Sequence, residues 1–312
     1  MAVTEAFTVG IIKLAHATTP IYIGQMESSA VAPNVADLLL AGAGQADASF
    51  GAIGEVKPVC SFTTSQLKTV LDVCGIDGLQ IDAAATYTDV EIYLQQLEEG
   101  GVRKSGSAHL MMAVNKGILI PRTINATQGP GAATIACDLL CTYDGTNDPI
   151  AVSSSVALPS VAAATEAFTL GPVDLNGTDV DGVQSVTVDF GITEINLSGD
   201  GDVYATFAAI TDRRPRINLT TNKATFLTTT GISGTAVDVN NCTVFLRKVT
   251  EGGKRVADAT EEHIAIAADE GVVYPDSTTY SQGDVVAQGF IVVPTYDGSN
   301  AVLAISTASA IT

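Results

Sequence analysis

The chain has 312 residues, 46% hydrophobic and 16% charged, with 34 Asp and Glu against 15 Lys and Arg for a formal charge of −19. This composition is globular and excludes a disordered chain, and the acidic excess excludes tight nucleic-acid binding, which needs clustered Lys and Arg against phosphate. The length exceeds what one hydrophobic core usually organises, so two domains of roughly 150 residues are expected.

The opening segment, VTEAFTVGIIKL at 3–14, returns as ATEAFTLGPVDL at 164–175. Glu5 stands where a secretory signal would be basic, and no apolar run reaches about 18 residues, so a soluble cytosolic product is expected. With a shift of 157, residues 38–64 lie without a gap over residues 195–221, and ten positions are identical, among them Gly42, Gly44, Phe50 and Pro58 over Gly199, Gly201, Phe207 and Pro215. The shift at the opening is 161, so the two halves differ by four residues between the opening and the following strands. Such collinearity is the signature of an internal repeat. It gives two homologous domains, 1–158 and 165–312, joined by the Ala-rich stretch PSVAAAT.

In chain order, His16 falls in a loop-like stretch without companions. Gly42 and Gly44, like Gly199 and Gly201, lack the third glycine and the strand-to-helix context of dinucleotide binding and read as turns. Residues 65–75 read as a short amphipathic helix: Ser65 as cap, Leu67, Val70, Leu71 and Cys74 on one face, Gly75 as the left-handed stop. Val90, Ile92 and Leu94 alternate with Asp89, Glu91 and Tyr93, the period of a strand. Glu99-Gly100-Gly101 reads as a hairpin turn, because glycine accepts positive φ. Arg103 and Lys104 beside it, like Lys248, Lys254 and Arg255 beside Glu251-Gly252-Gly253, make these hairpins either solvated turns or arms that reach a neighbouring subunit.

His109 and its equivalent His263 each start an alternating strand and read as structural. Cys60, Cys74, Cys137, Cys141 and Cys242 form no CxxC pair, and an odd count suits a reducing compartment. Cys137 and Cys141 read as buried thiols, with half a metal site on one helical turn as the alternative. Tyr143-Asp144-Gly145 and Tyr296-Asp297-Gly298 read as hairpin turns. Asp174, Asn176 and Thr178 faintly echo a calcium loop, but Asp179 occupies the glycine position. Val186, Val188, Phe190 and Ile192 form a strand face opposite Thr187 and Asp189. A second helix is expected with Asn222 as cap, Phe226, Leu227 and Thr230 inward and Gly231 as stop.

These elements make each domain a mainly β sandwich or barrel with one short packed helix and a long hairpin. No nucleophile, base or metal cluster is assembled by the sequence, so catalytic, cofactor-binding and metal residues are all expected to be none, and the chain is not expected to be an enzyme.

The run VQSVTVDFGITEINLSGDGDVYATFAAITDRRPRINLTT, followed by one helix after Thr220-Thr221 and a long hairpin, resembles the tail tube proteins of long-tailed bacteriophages. The resemblance implies a structural virion protein, assembled in the host bacterial cytoplasm, whose two-domain chains form pseudo-hexameric trimer rings that stack into a tube. Its partners would be its own copies and other tail proteins, with no membrane and DNA passing through without tight binding. No functional residue carries over, because surfaces do the work. A DNA conduit favours an acidic wall, with Asp89, Glu91 and Asp189 as candidates. The alternatives are a duplicated-β capsid or capsid-decoration protein and a tandem β-sandwich binding module.

Overall fold

The structure, a computed structural model, describes residues 5–16, 18–101, 103–161, 163–199, 201–223, 237–279 and 286–312. It is mainly β, with a single helix among the described residues. The chain opens with β1 (Ala6–His16), β2 (Ile21–Ile23), β3 (Met26–Ala32), β4 (Val35–Leu40), β5 (Phe50–Val56) and β6 (Val59–Thr64). Then come α1 (Leu67–Cys74), β7 (Leu79–Ile81), β8 (Tyr87–Leu97), β9 (Ser107–Val114), β10 (Gly117–Thr127), β11 (Thr134–Cys141) and β12 (Ala151–Ala157). Past the linker lie β13 (Glu166–Leu175), β14 (Thr178–Asp179), β15 (Val183–Asp189), β16 (Ile192–Ser198), β17 (Ala205–Arg213) and β18 (Arg216–Thr221). The last are β19 (Val237–Val239), β20 (Cys242–Thr250), β21 (Lys254–Arg255), β22 (His263–Ala268), β23 (Gly271–Thr279), β24 (Ala287–Pro294) and β25 (Ala304–Ser309).

In the first half one row of strands runs β12-β9-β8-β1-β2 and another runs β7-β10-β11-β6-β3, linked by a single parallel bridge from Ile81 to Tyr87. In the second half the rows run β25-β22-β20-β13-β14 and β19-β23-β24-β18-β15. The strand order is the same in both, and several irregularities recur. A bulge sits between Val9 and Ile12 of β1 and between Leu170 and Val173 of β13. Another follows Pro121 of β10 and Pro275 of β23, where a residue without an amide proton costs no ladder bond. The four-residue length difference is the β1–β2 turn: Leu14 pairs Ile21 across six residues, whereas Leu175 pairs Thr178 across Asn176 and Gly177 alone.

Inward residues of both halves form one continuous apolar cluster, from Ile12 and Leu14 through Phe168 to Leu303. α1 buries Leu67, Val70, Leu71 and Cys74, and Gly75 closes it at φ 53° with its amide on the Leu71 carbonyl. Ser65 does not cap it. Its hydroxyl bonds the Gln25 side chain at 3.0 Å, and the Gln66 amide is taken by Thr64 Oγ1 at 3.1 Å instead. The helix expected after Asn222 falls on residues 224–236, outside the described residues.

Gly100, Gly101, Gly252 and Gly253 all have positive φ, as the two Glu-Gly-Gly turns require. The Tyr-Asp-Gly segments are not hairpins. Each lies in a crossover between rows, from β11 to β12 and from β24 to β25. Asp144 Oδ1 accepts the Thr146 and Asn147 amides, both at 2.7 Å, and Asp297 does the same for Ser299 and Asn300 at 2.6 and 2.7 Å. The local turn chemistry was right, but the strands on either side pair with others.

His109 and His263 are both buried. His109 Nδ1 accepts the Gln96 amide and His263 Nδ1 the Lys248 amide, each at 3.0 Å, and His263 Nε2 lies 3.1 Å from the Ala257 carbonyl, to which it donates. Each imidazole therefore satisfies a backbone amide where a hairpin strand leaves the ladder. Substituting leucine strands a buried donor, which costs about 1–3 kcal/mol. His263→Leu and His109→Leu are each expected to lower the urea midpoint accordingly; an unchanged midpoint would show that the amide finds another partner.

Candidate functional site

The feature that sets this molecule apart from two separate sandwiches is the joint between its halves. β15 has the alternation of a half-buried strand, with Val186 and Val188 inward. One of its edges pairs β18 of its own half, and the other pairs β10 of the first half, from Thr123 opposite Asp189 to Thr127 opposite Ser185. Eight strands thus run side by side through the chain, in the order β3-β6-β11-β10-β15-β18-β24-β23.

The β16–β17 hairpin that follows β15 lies against the first half. The Tyr143 amide donates to the Ala205 carbonyl at 2.7 Å, the Val56 amide to the Val203 carbonyl at 2.7 Å, and Lys116 Nζ to the Thr206 carbonyl at 3.3 Å. Arg122, on β10, is the clamp. Its Nε donates to Asp138 at 2.7 Å, while its terminal nitrogens reach both Glu194 oxygens at 2.5 and 2.9 Å and the Ile192 carbonyl at 2.9 Å. The Glu194 carboxylate raises the guanidinium pKa further, against the opposing effect of burial. This bidentate arrangement is the strong form of an ion pair. A second cross-half contact joins α1 to β25, where Lys68 Nζ and Asp72 both bond the Thr307 hydroxyl.

The three acidic candidates do not form one wall. Asp89 and Glu91 lie on β8 in the other row of strands, and Glu91 is bound by Lys13 at 2.7 Å and by the Tyr93 hydroxyl. Asp189 does lie in the eight-strand row, opposite Arg216, and holds the Gly191 amide at 2.8 Å. On its middle strands the non-core face of that row carries Ser61, Thr63, Asn125, Thr187, Asn218 and Thr220 beside the charged Asp138, Asp189 and Arg216, and on β23 and β24 it carries Val272, Tyr274, Ile291 and Val293. Strand period showed which positions point away from the core, but it cannot tell which of two sheets a strand joins.

The remaining candidates serve the fold. Cys137 and Cys141 are on strand β11, not a helix, and all five thiols are buried. Burial pushes the Cys74 and Cys242 thiols up to about 12. Among the described residues no group of three or more His, Cys, Asp or Glu side chains is placed to hold a metal ion. The faint calcium echo is a two-residue turn: Asn176 and Gly177 both have positive φ, and Asp174 Oδ1 accepts the Gly177 amide at 3.0 Å. The Asn-Gly pair between strand runs is itself a hairpin signal. Gly44 and Gly201 sit at matching φ of 83° and 81° in the β4–β5 and β16–β17 turns. His16 Nδ1 faces the Thr18 amide and hydroxyl in the β1–β2 turn. Of the hairpin cations, Lys248 is held between Glu166 at 2.7 Å and Glu262 at 2.9 Å.

Large apolar side chains are left in solvent on the two paired hairpins. Leu38, Leu39, Leu40, Phe50 and Ile53 are exposed on β4–β5, and Leu197 and Phe207 on β16–β17. Patches of this kind mark interaction surfaces. No protein-family model matches the chain, and no curated protein matches it.

Replacing Arg122 leaves two carboxylates facing each other over a half-buried joint. Arg122→Leu is expected to cost about 1–3 kcal/mol and to open the 192–213 hairpin to limited proteolysis while the rest of the chain resists. The paired Asp loops make a second test. The backbone amide of Asn147 and, next, its side-chain amide at 2.8 Å hold the Asp144 carboxyl below its ordinary 3.8, and the Asn300 backbone amide leads the same effect on Asp297. A depressed folded-state pKa means that these loops contribute fully above 3.8 and lose that contribution as pH falls through the lower folded value. Carboxyl NMR titration is expected to place both midpoints below 3.8, and Asn147→Ala to move that of Asp144 upward.

Proposed function

We propose that this chain is a self-assembling structural protein, a bacteriophage tail tube subunit whose copies close into trimeric rings of six β units and stack into a conduit for DNA. The observation that carries this reading is the joint itself: two halves with one pairing plan are already joined edge to edge, head to tail, through a continuous sheet. A heterologous contact of this kind generates a ring when its rotation closes. Three chains of eight strands make 24, and at about 4.8 Å per strand the closed row is about 37 Å across between backbones, more with strand tilt. That leaves a lumen wide enough for a duplex. The hydroxyl- and amide-rich face of the row's middle strands supplies a wall without a basic stripe, past which phosphates slide, and the chain's acidic excess discourages binding elsewhere. The exposed apolar hairpins supply surface for contacts between rings and with other tail proteins.

The purified protein is expected to form rings or tubes with a central hole under negative stain. Closed shells or flat trimers without a hole would replace this reading with a capsid role, and persistent monomers at high concentration and in every salt would replace it with a tandem binding module.

A further inference from the structure

The matching pairing plans assign every strand of the internal joint a counterpart, and the counterparts stand open. By register with β18 and β6, Thr187, Val188 and Asp189 of β15 correspond to Ala30, Val31 and Ala32 of β3. By register with β24 and β11, Thr123, Ile124 and Asn125 of β10 correspond to Ser277, Thr278 and Thr279 of β23. β3 pairs only β6, and β23 pairs β19 only through Gly271–Val273, so among the described residues both counterpart edges are unpaired. Val188 is 0% exposed where Val31 is 36%. The hairpins tell the same story: Ile192, under the Arg122 clamp, is 8% exposed, and its counterpart Val35 is 51%. Thr142, beneath the docked hairpin, is buried, and its counterpart Thr295 is exposed, as is Tyr296 beside it.

We infer that one copy of this chain joins the next by repeating the internal joint: β3 and the β4–β5 hairpin of one copy dock on β23 and its surroundings in the second half of its neighbour. The inference rests on the ring-forming reading. It fixes a register, antiparallel, with Ala32 opposite Ser277, Val31 opposite Thr278 and Ala30 opposite Thr279. None of these pairs sets like charges together, and all six side chains suit a pleated edge.

The electrostatics of the two joints differ in sign. In the internal joint the cations Arg122 and Lys116 receive a hairpin carrying Glu194. The counterpart of Arg122 is Asp276, that of Lys116 is Glu270, and that of Glu194 is Asp37, as the shared registers and bulges require. Three carboxylates therefore converge where the internal joint has a clamp. Repulsion of this kind is screened by salt, so the joint between copies strengthens as ionic strength rises, and the covalent halves hold together without it.

The test uses the full chain. In Ala32→Cys/Ser277→Cys, the two new thiols lie seven strand spacings apart within one chain, about 34 Å along the sheet, so only neighbouring copies can link them, and the native thiols are buried. Mild oxidation with diamide is expected to give covalent trimers in the double variant and none in either single variant. Rings that assemble yet fail to cross-link would overturn the inference and leave the ring reading standing; absence of assembly at any salt would overturn both. Separately, Asp276→Arg rebuilds the clamp toward Asp37 and is expected to lower the concentration for assembly by about tenfold at low salt and to flatten its salt dependence. An unchanged or weaker assembly of this variant would refute the like-charge joint.

Discussion

The pairing of β10 with β15 is the constraint around which the rest of the chain is arranged. It consumes the edge each half would otherwise present to its partner half, and so removes one hazard of exposed strand edges by using it. Once those backbones are in register, the β16–β17 hairpin is delivered over Arg122. Glu194 then satisfies a guanidinium that Asp138 alone would leave half used. The apolar interior closes across the joint as one cluster, with the Phe168 carbonyl of the second half accepting the Ala133 amide of the first at 2.6 Å. The halves are therefore bound by backbone ladder, ion pair and shared core at once, and the Ala-rich linker is the least of the connections.

With few aromatic residues and no Trp, the chain fills its interior with Val, Ile, Leu and small thiols. Strand spacing and side-chain size then set thin layers, and backbone groups at the layer margins need local partners. The buried His109 and His263 serve this purpose in each half, as do the Asp144 and Asp297 loops. His and Asp, the residue types of many active sites, here bind amides that strands leave behind, which is the ordinary use of a buried polar group.

Local pattern was legible wherever one segment decides its own conformation. The stripe of α1, the positive φ at both Glu-Gly-Gly turns and the alternation around Val90 and Val186 all follow from sequence spacing. What failed depended on a partner. Ser65 turned to Gln25 and left the first helical amides without a side-chain cap, while Thr64 accepts the Gln66 amide. Tyr-Asp-Gly makes a turn in either a hairpin or a crossover, and only the far strands decide which. Cys137 and Cys141 share a face under helical or strand geometry nearly alike, and the β11 ladder settled it. Asp89 and Asp189 both point outward on their strands, but from different rows of strands. The joint itself left no local mark, since β10 and β15 look like any other half-buried strands; only comparing the two halves position by position shows that Arg122 and Asp276 occupy one place.

If copies join as proposed, the mixture of covalent and non-covalent joints has a mechanical consequence. A hoop made of these chains then alternates three sturdy seams, each backed by a peptide linker and a guanidinium clamp, with three that have edge pairing and a docked hairpin but neither linker nor clamp. Under outward pressure or axial tension such a hoop does not stretch evenly; it yields at every second seam. Its deformation would therefore be threefold, with each chain moving as a rigid stave.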